Sequence, residues 1–242
     1  MVFKCIIPAG GKGTRLHPYT EEVPKPLVEV AGKPLLHYTF KTLKQLKIKD
    51  IILVNGYKAH MIEEYVEKHA KDFNAVCVTQ KENEMLGIPS AIISAEKEID
   101  DDFIMLLPDF IFVENMTYIL RKHKATKADS TLVLDKGKPL INCCSCRLEG
   151  DVITAITMND GTPKSMHEYL VYGMDVHKQD FIDSCKKLKV SARGQYEIVQ
   201  AYVDRLNEGK KLVGIPAKKK AFHITAPRDK EEFEKMLKEK KE

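Results

Sequence analysis

Several features that would assign a functional class at once are missing from this 242-residue sequence. It contains no tryptophan, no internal repeat and no low-complexity tract. No apolar run approaches the length of a membrane span. The apolar residues behind the first methionine are too few for a signal peptide and lack a cleavage region. These absences predict a cytosolic protein that does not contact membranes.

The sequence also lacks a strong charge of either sign. Its 39 lysines and arginines stand against 35 acidic residues, which leaves a net charge of +4. Proteins that bind nucleic acid usually concentrate a larger basic excess in one stripe. The charge therefore argues against a nucleic-acid partner and suits a small anionic ligand.

Cysteine spacing gives no support for a zinc site. Three of the six cysteines lie close together at Cys143, Cys144 and Cys146, but no second cluster follows at zinc-ligand spacing. In the cytosol these thiols stay reduced. We interpret all of them as ordinary cysteines of strands.

The first half of the chain alternates between short apolar runs and amphipathic stretches. Because the apolar runs are continuous and do not alternate, they predict strands of a parallel sheet that is covered on both faces. The fold class is therefore α/β, with a Rossmann-like, mostly parallel central sheet flanked by helices. Predicted strands cover residues 2–7, 50–55, 75–79, 103–107 and 130–135, and predicted helices cover 32–46, 60–71, 88–98 and 115–124.

The pattern changes in the second half. Between residues 141 and 176, turn signals separate segments typical of antiparallel strands, which predicts a late antiparallel addition to the sheet. A helix at 197–207 and a strand at 211–215 follow. We expect one domain over residues 1–227 and a charged helix at 228–242, whose apolar stripe comprises Phe233, Met236 and Leu237.

A glycine-rich segment follows the first predicted strand and reads AGGKGTR over residues 9–15, which we call the glycine loop. Gly10, Gly11 and Gly13 leave backbone amides uncovered, an arrangement that favours anions. Thr14 adds a hydroxyl group, and Arg15 adds a planar cation suited to phosphate oxygens. Neither common phosphate-loop motif fits, since Leu16 stands where a third glycine would be needed. A tight strand-to-helix turn remains the alternative interpretation.

A second segment, PKPL at residues 24–27, follows the glycine loop, and we call it the proline segment. Its two prolines restrict the backbone on both sides of Lys25. A surface lysine in a turn would account for the charge but not for the rigid frame. The frame indicates that the ammonium group must reach a fixed point.

Together, the two segments resemble the signature of the sugar-1-phosphate nucleotidyltransferases, the nucleotide-sugar pyrophosphorylases, of the glucose-1-phosphate thymidylyltransferase type. In that family a G-G-x-G-T-R-L segment precedes P-K-P-L and an apolar helix. The resemblance is strong over residues 1 to about 110 and continues more weakly to about 230. It identifies residues 1–227 as a catalytic domain of the nucleotide-diphospho-sugar transferase type.

The resemblance implies a reaction and roles for these residues. A phosphate oxygen of a sugar 1-phosphate attacks the α-phosphorus of a nucleoside triphosphate, and pyrophosphate leaves. Arg15 and Lys25 would be catalytic, the first holding pyrophosphate and the second the α-phosphate and the incoming phosphate. Ala9, with the glycines and Thr14 of the glycine loop, would bind the nucleotide. Asp109, after the fourth predicted strand, would bind Mg²⁺, the implied cofactor.

Four further positions acquire roles only through the resemblance. Gln80 and Gly87 match positions near the base of the nucleotide, and Gly173 and Glu197 match positions near the sugar. Read without the resemblance, Gln80 is a solvated loop residue. Glu197 alone would stabilise the N-terminus of its helix.

The sequence departs from the family pattern in three places. Asp109 follows a proline where many relatives have a glycine. His223 stands where many relatives carry a second metal-binding aspartate, which makes it a candidate metal ligand or a histidine at a strand end. The usual E-K-P segment is absent, and Lys164 is a candidate replacement for its lysine.

These departures keep alternative functions open. A Mg²⁺-dependent sugar-1-phosphate nucleotidyltransferase is the first hypothesis, with glucose 1-phosphate and a thymidylyl or uridylyl group as the first substrates to consider. Guanylyl- or cytidylyltransferases that act on other sugar or alcohol phosphates compete with it. A non-catalytic nucleotide-sugar sensor is the alternative from another class. The sequence does not specify the oligomeric state, although relatives are often dimers or tetramers.

Overall fold

A computed structural model describes residues 3–80, 87–137, 143–159, 162 and 167–239 of the chain. Thirteen strands are present in this part of the chain. They are β1 (Lys4–Pro8), β2 (Glu29–Val30), β3 (Lys33–Pro34), β4 (Asp50–Asn55), β5 (Asn74–Thr79), β6 (Phe103–Leu106), β7 (Phe110–Ile111), β8 (Ser130–Asp135), β9 (Cys144–Glu149), β10 (Val152–Met158), β11 (Tyr169–His177), β12 (Leu212–Pro216) and β13 (Phe222–His223).

Eight α-helices lie between or after these strands in the described residues. They are α1 (Tyr19–Glu22), α2 (Leu35–Leu46), α3 (Ala59–His69), α4 (Ile88–Ser94), α5 (Thr117–Thr126), α6 (Phe181–Lys186), α7 (Ile198–Asn207) and α8 (Pro227–Glu239). Short 3₁₀ turns occupy Thr14–Leu16, Lys25–Leu27 and Glu96–Glu98.

Nine strands form one mixed sheet in the order β5-β4-β1-β6-β11-β8-β12-β10-β9. The neighbours β5, β4, β1 and β6 are parallel to one another, as are β12 and β8. Strand β11 runs antiparallel to both β6 and β8, so it lies within the sheet between parallel strands. Strands β9 and β10 pair antiparallel at the far end.

Helices cover both faces of the sheet. On one face, α2, α3 and α5 bury leucine, isoleucine, phenylalanine and valine side chains against β1, β4, β6 and β11. On the other face, α4, α6 and α7 pack against the opposite sides of the same strands and against β8, β10 and β12. This three-layer arrangement buries the strands on both sides, which explains their continuous apolar sequences. It confirms the predicted α/β class.

A third, smaller apolar cluster lies beneath the segments that carry the candidate site. Leu16 comes from the glycine-loop side, Val28 follows the proline segment, Ile111 belongs to β7, and Ile224 follows β13. All of them are buried, and Phe233 of α8 packs against the same cluster. Segments far apart in sequence are thus anchored to one small core.

Most element positions agree with the sequence patterns, and the differences have local causes. The helix predicted over residues 88–98 ends as an α-helix at Ser94 and continues as a 3₁₀ turn. Helices α1 and α6 and the two-residue strands β2, β3, β7 and β13 were not predicted, because such short elements produce no periodicity. Residues 138–142, within which the antiparallel region was predicted to begin, lie outside the described residues. All six cysteines, each of them described, are free thiols.

No helix in the described ranges is both long enough and apolar enough to cross a membrane.

Candidate active site

The glycine loop leaves β1 at the edge where the parallel strands end. The backbone amide of Ala9 donates to the carbonyl of Val54 at 2.7 Å, and the amide of Tyr57 donates to the carbonyl of Gly10 at 3.0 Å. A Cβ atom at Gly10 would lie 3.1 Å from Oε1 of Gln80. The loop therefore lies close against the ends of β4 and β5, and a side chain at position 10 would crowd that contact.

Gly13 links the glycine loop to the proline segment. Its φ angle of 65° is in the left-handed region, and a Cβ atom there would lie 2.9 Å from Cβ of Lys25. The hydroxyl of Thr20 donates to the carbonyl of Gly13 at 3.0 Å. Only glycine adopts this conformation at this distance without strain. The two motifs recognised in the sequence are thus in direct contact.

Lys25, Asp109 and His223 converge on one point, and we call them the Asp109 cluster. The ammonium group of Lys25 lies 2.5 Å from Oδ2 of Asp109, and Nε2 of His223 lies 3.3 Å from the same oxygen. The side chains of Lys25 and Asp109 are only 16% and 18% exposed. One cation from the proline segment therefore faces the two residues that were predicted to bind metal.

The pairing of strands β7 and β13 holds Asp109 and His223 together. Phe110 and His223 are paired residues of this antiparallel ribbon, and the amide of Ile224 donates to the carbonyl of Asp109 at 2.8 Å. Burial raises the pKa of Asp109, but the ammonium charge of Lys25 and the contacts with Lys25 and His223 outweigh it and hold that pKa well below its usual range. Asp109 is consequently ionised at neutral pH.

One carboxylate oxygen of Asp109 has no hydrogen-bond partner in the described part of the chain. This atom, Oδ1, is buried. Burying an acceptor without a partner is unfavourable, and such atoms often mark a site for a missing ligand. A hard oxygen in this position suits a divalent cation that also takes phosphate oxygens. The described residues contain no group of three or more side chains that could hold a metal by themselves.

Arg15 lies apart from the Asp109 cluster. Its side chain is exposed, and within the described ranges no hydrogen bond or ion pair joins it to Lys25 or Asp109. Burial raises the pKa of the Cys143 thiol, and the guanidinium of Arg15 partly opposes this effect. Gly11 and Thr14 are exposed as well. This side of the glycine loop is open to a ligand from solvent.

Gln80 and Gly87 lie on the α4 side of the glycine loop. The side-chain amide of Gln80 donates to the hydroxyl of Ser90 at 2.6 Å, so its Oε1 faces Gly10. A Cβ atom at Gly87 would lie 2.3 Å from the carbonyl oxygen of Tyr196. Gly87 thus allows the start of α4 to contact the segment that carries Glu197.

Glu197 is engaged by its own segment. Its Oε1 accepts from Ser191, Gln195 and Arg193, and its Oε2 accepts from Arg193 at 2.5 Å. Burial raises the pKa of Glu197, but these hydrogen bonds outweigh it and leave that pKa lowered. The carboxylate makes no side-chain hydrogen bond to the N-terminus of α7. It fixes the segment from Ser191 to Glu197, which includes the contact with Gly87.

Gly173 lies in β11 beside the Asp109 cluster. It is buried, and its carbonyl accepts a hydrogen bond from the amide of Leu107 at 2.8 Å. A Cβ atom there would lie 2.2 Å from Cδ2 of Phe110. The atoms nearest to such a Cβ thus belong to an aromatic ring of β7.

Comparison with known proteins identifies the family. The family model for nucleotidyl transferases matches residues 4–223. A glucose-1-phosphate thymidylyltransferase of Mycolicibacterium smegmatis is 30% identical over 227 residues, which cover 93% of this chain and 78% of the relative. The chain belongs to the nucleotidyl transferase family. Membership in this family identifies the chain as an enzyme, a nucleotidyltransferase.

Other proteins similar to this nucleotidyl transferase include named enzymes of nucleotide-sugar synthesis. A UTP–glucose-1-phosphate uridylyltransferase of Haloferax volcanii is 27% identical over 241 residues, covering 98% of this chain and 97% of the relative. A bifunctional GlmU protein of Methanocaldococcus jannaschii is 26% identical over 211 residues, but the match spans only 48% of that protein. A solved UDP-glucose pyrophosphorylase complexed with UDP-glucose shares the fold, with a TM-score of 0.87, 19% identity and coverage of 99% and 100% of the two chains.

Phe110 and Arg193 are among the residues that contact predicted site residues but were not singled out in the sequence. Phe110 directly follows Asp109, and an aromatic residue beside a candidate metal ligand is a signal that could have been used. Arg193 precedes Glu197 by four residues in an R-x-x-x-E arrangement, which is a recognisable ion-pair spacing. Lys164, the candidate replacement for the E-K-P lysine, lies outside the described residues.

Replacing Gly87 with alanine is expected to destabilise the enzyme more than a positive φ angle alone would. The φ of Gly87 is 112°, and the new Cβ would also collide with the carbonyl of Tyr196. Gly209→Ala is the matched control, because Gly209 has a φ of 74° but no atom within 4 Å of the added Cβ. We expect the control to lose about 1 kcal/mol of unfolding free energy and Gly87→Ala to lose about 3 kcal/mol or more. Urea unfolding of both variants measures the difference, and equal losses would contradict the contact with Tyr196.

Proposed function

We propose that this nucleotidyl transferase moves a nucleotidyl group from a nucleoside triphosphate to a sugar 1-phosphate, giving a nucleotide-sugar and pyrophosphate. The observation that carries the proposal is the convergence of Lys25, Asp109 and His223 beside the glycine loop. The relatives named for uridylyl and thymidylyl transfer to glucose 1-phosphate support it. A glucose 1-phosphate with UTP or dTTP is therefore the first substrate pair to test.

In the proposed reaction, an oxygen of the sugar phosphate forms a bond to the α-phosphorus. The bond from this phosphorus to the oxygen that bridges to the β-phosphorus breaks, and pyrophosphate carries away the electron pair. The protein contributes mainly position and charge. Lys25 neutralises the α-phosphate and the incoming phosphate, Arg15 holds the leaving pyrophosphate, and amides of Gly10, Gly11 and Gly13 bind the triphosphate chain, with Ala9 and Thr14 at its edges.

The parallel half of the sheet is proposed as the Rossmann-like nucleotide-binding half. Parallel strands β5, β4, β1 and β6 end at one edge, where ligands of α/β sheets usually bind. Gln80 and Gly87 would contact the base at this edge. Gly173 and Glu197 would lie on the sugar side, with Glu197 acting through the segment that it holds in place.

Asp109 and His223 are the residues that would hold a divalent cation, with Mg²⁺ as the proposed ion. The buried, unpartnered Oδ1 of Asp109 fits such an ion, although histidine is a less usual ligand for Mg²⁺ than a carboxylate. When bound, a divalent ion neutralises negative charge on the phosphate groups. Lys25 already neutralises the other oxygen of Asp109, so the phosphates would draw Lys25 away from it.

A nucleotide-sugar sensor is the second candidate, and one observation favours it. In the described structure one carboxylate oxygen of Asp109 is already paired with the ammonium group of Lys25 and lies 3.3 Å from Nε2 of His223. A protein that only binds nucleotide could keep this closed arrangement.

We further propose a cytosolic enzyme that acts on small molecules, without nucleic-acid or membrane partners.

Pyrophosphate release from each pairing of a nucleoside triphosphate with a sugar or polyol phosphate tests the proposal. With the productive pair, Lys25→Ala is expected to lower the rate by about 10²–10³-fold, because it removes charge stabilisation in the transition state. Lys44→Ala is the control, since Lys44 also pairs with an aspartate, Asp72 at 2.6 Å, but on the exposed surface. Nucleotide binding without release from any pair would reject transfer and favour the sensor.

A further inference from the structure

Phe110 is packed between the side chain of His223 and β11. Its ring stacks on the imidazole of His223, with ring centroids 4.0 Å apart and planes 12° apart. On β11 it contacts Tyr172, with centroids 5.3 Å apart, and it covers Gly173. The ring of Phe110 thus connects β11 to the imidazole that faces Asp109.

The backbone alone does not fix the orientation of the His223 side chain. Strands β7 and β13 have two residues each and pair Phe110 with His223 and Ile111 with Phe222. Such a short ribbon fixes the backbone position of His223 but leaves its ring free to rotate about the side-chain bonds. The parallel stack on Phe110 restrains that rotation while Nε2 lies 3.3 Å from Asp109.

Because Gly173 has no side chain, the ring of Phe110 can occupy the space beside β11. A Cβ atom at residue 173 would lie 2.2, 2.6 and 2.8 Å from three atoms of that ring, distances too short for carbon atoms that are not bonded to each other. The ring would have to move towards His223 or rotate away from it. Since interiors are packed closely, this displacement would pass to the imidazole.

We propose that Gly173 and Phe110 are positioning residues for His223, and that Gly173 acts through Phe110 instead of through contact with the sugar. This inference rests on the proposed function in one respect, since the proposed function is what gives Asp109 and His223 a role in catalysis. The geometric link from Gly173 through Phe110 to His223 stands without it. A side chain at position 173 changes the orientation of the imidazole before any substrate binds.

A double-mutant cycle with Gly173→Ala and Phe110→Ala tests the link. Gly173→Ala alone is expected to lower kcat/KM about tenfold or more, because small misplacements in an active site have large effects on rate. In the Phe110→Ala background, adding Gly173→Ala removes no further ring contact and is expected to change kcat/KM less than about twofold. The two substitutions are thus strongly non-additive.

Carbon–proton correlation spectra of the unliganded protein give a readout that does not depend on turnover. A ring stacked at 4.0 Å shifts the imidazole signals of His223 upfield, and His223→Gln assigns them. We expect this upfield shift to be lost in Phe110→Ala and altered in Gly173→Ala. Phe110→Leu, which keeps an apolar side chain of similar size without a ring, is expected to lose the shift too if Phe110→Ala does not fold.

Gly214→Ala is the matched control for general damage to the sheet. Gly214 lies in β12, and its added Cβ would approach Leu134 and Leu148 to 2.5 and 2.7 Å, a collision of the same kind away from His223. It is expected to lower stability and to leave the His223 signals unchanged.

The outcomes separate this inference from the proposed function. If Gly173→Ala raises KM for the sugar phosphate by the same factor in both backgrounds and leaves the His223 signals in place, Gly173 contacts the sugar and the inference is wrong. If no substrate pair is turned over but the His223 signals respond as described, the link from Gly173 to His223 stands and only the proposed function fails.

Discussion

Replacing Asp109 with asparagine is expected to lower the rate of pyrophosphate release by about 10²–10³-fold, the effect of losing one preorganised electrostatic group in an active site. Asparagine keeps the size of aspartate and one acceptor oxygen. It loses the charge that now lies 2.5 Å from the ammonium of Lys25, and with it the proposed ligand for a divalent cation.

The same substitution is expected to act in the opposite direction on nucleotide binding without metal. In the free protein, Asp109 neutralises Lys25, so a triphosphate must compete with a carboxylate for that ammonium group. Asparagine removes the competitor and leaves Lys25 free to pair with phosphate. Metal-free affinity for the triphosphate should therefore be unchanged or higher while turnover falls. General damage to the site would weaken both.

Calorimetric titration of the nucleotide in a chelating buffer, together with initial rates over a range of Mg²⁺ concentrations, checks both halves of this prediction. Asp72→Asn is the control, because Asp72 also pairs with a lysine at 2.6 Å but its side chain is 71% exposed. Turnover by Asp109→Asn within about tenfold of the unaltered enzyme at saturating Mg²⁺ would exclude a central role for this carboxylate.

The arrangement of the Asp109 cluster was accessible from the sequence to a large extent. Lys25 lies between two prolines, which restrict its backbone whatever the rest of the chain does. Asp109 follows a continuous apolar run, and the carboxyl ends of parallel strands meet at one edge of the sheet. The structure brings Lys25 within 2.5 Å of Asp109 across 84 residues of sequence.

The order of the strands in the sheet was harder to predict from the sequence. The strand predicted at residues 130–135 matches β8 (Ser130–Asp135), since its apolar run has clear ends. The position of β11 between β6 and β8 could not be inferred, because periodicity reports which residues are buried and not which strand lies beside which. Likewise, the collision that a side chain at Gly173 would cause with Phe110 depends on a contact between β11 and β7.

A buried carboxyl on β11 gives the second large expected effect, this time on stability. The side chain of Asp175 is 1% exposed; its Oδ2 accepts from the hydroxyl of Tyr202 at 2.7 Å, and its Oδ1 has no partner among the described residues. Burial raises the pKa of Asp175 to about 7, although the hydrogen bond from Tyr202 opposes this. The nearby His177 is neutral, since burial lowers its pKa well below the usual value.

Asp175→Asn is therefore expected to stabilise the protein at pH 8 but not at pH 4. The folded carboxyl has the higher pKa, so between about pH 4 and pH 7 the folded state binds more protons than the unfolded state, and stability falls as pH rises through this range. Asparagine has no proton to lose and keeps an acceptor for Tyr202. The gain should grow across this interval towards an upper limit of about 4 kcal/mol.

Urea unfolding of the unaltered protein and of Asp175→Asn at pH 4, 6 and 8 measures this difference, in which the contributions of all other titrating groups largely cancel. Tyr202→Phe is the complementary variant, because it removes the hydroxyl that donates to Asp175 and leaves the carboxylate without that bond. Its loss of stability should be larger at pH 8, where the carboxyl is ionised, than at pH 4, where it is protonated. A difference between Asp175→Asn and the unaltered protein that stays constant from pH 4 to pH 8 would show that folding does not raise the pKa of Asp175. Its burial would then be compensated by a contact other than the one with Tyr202.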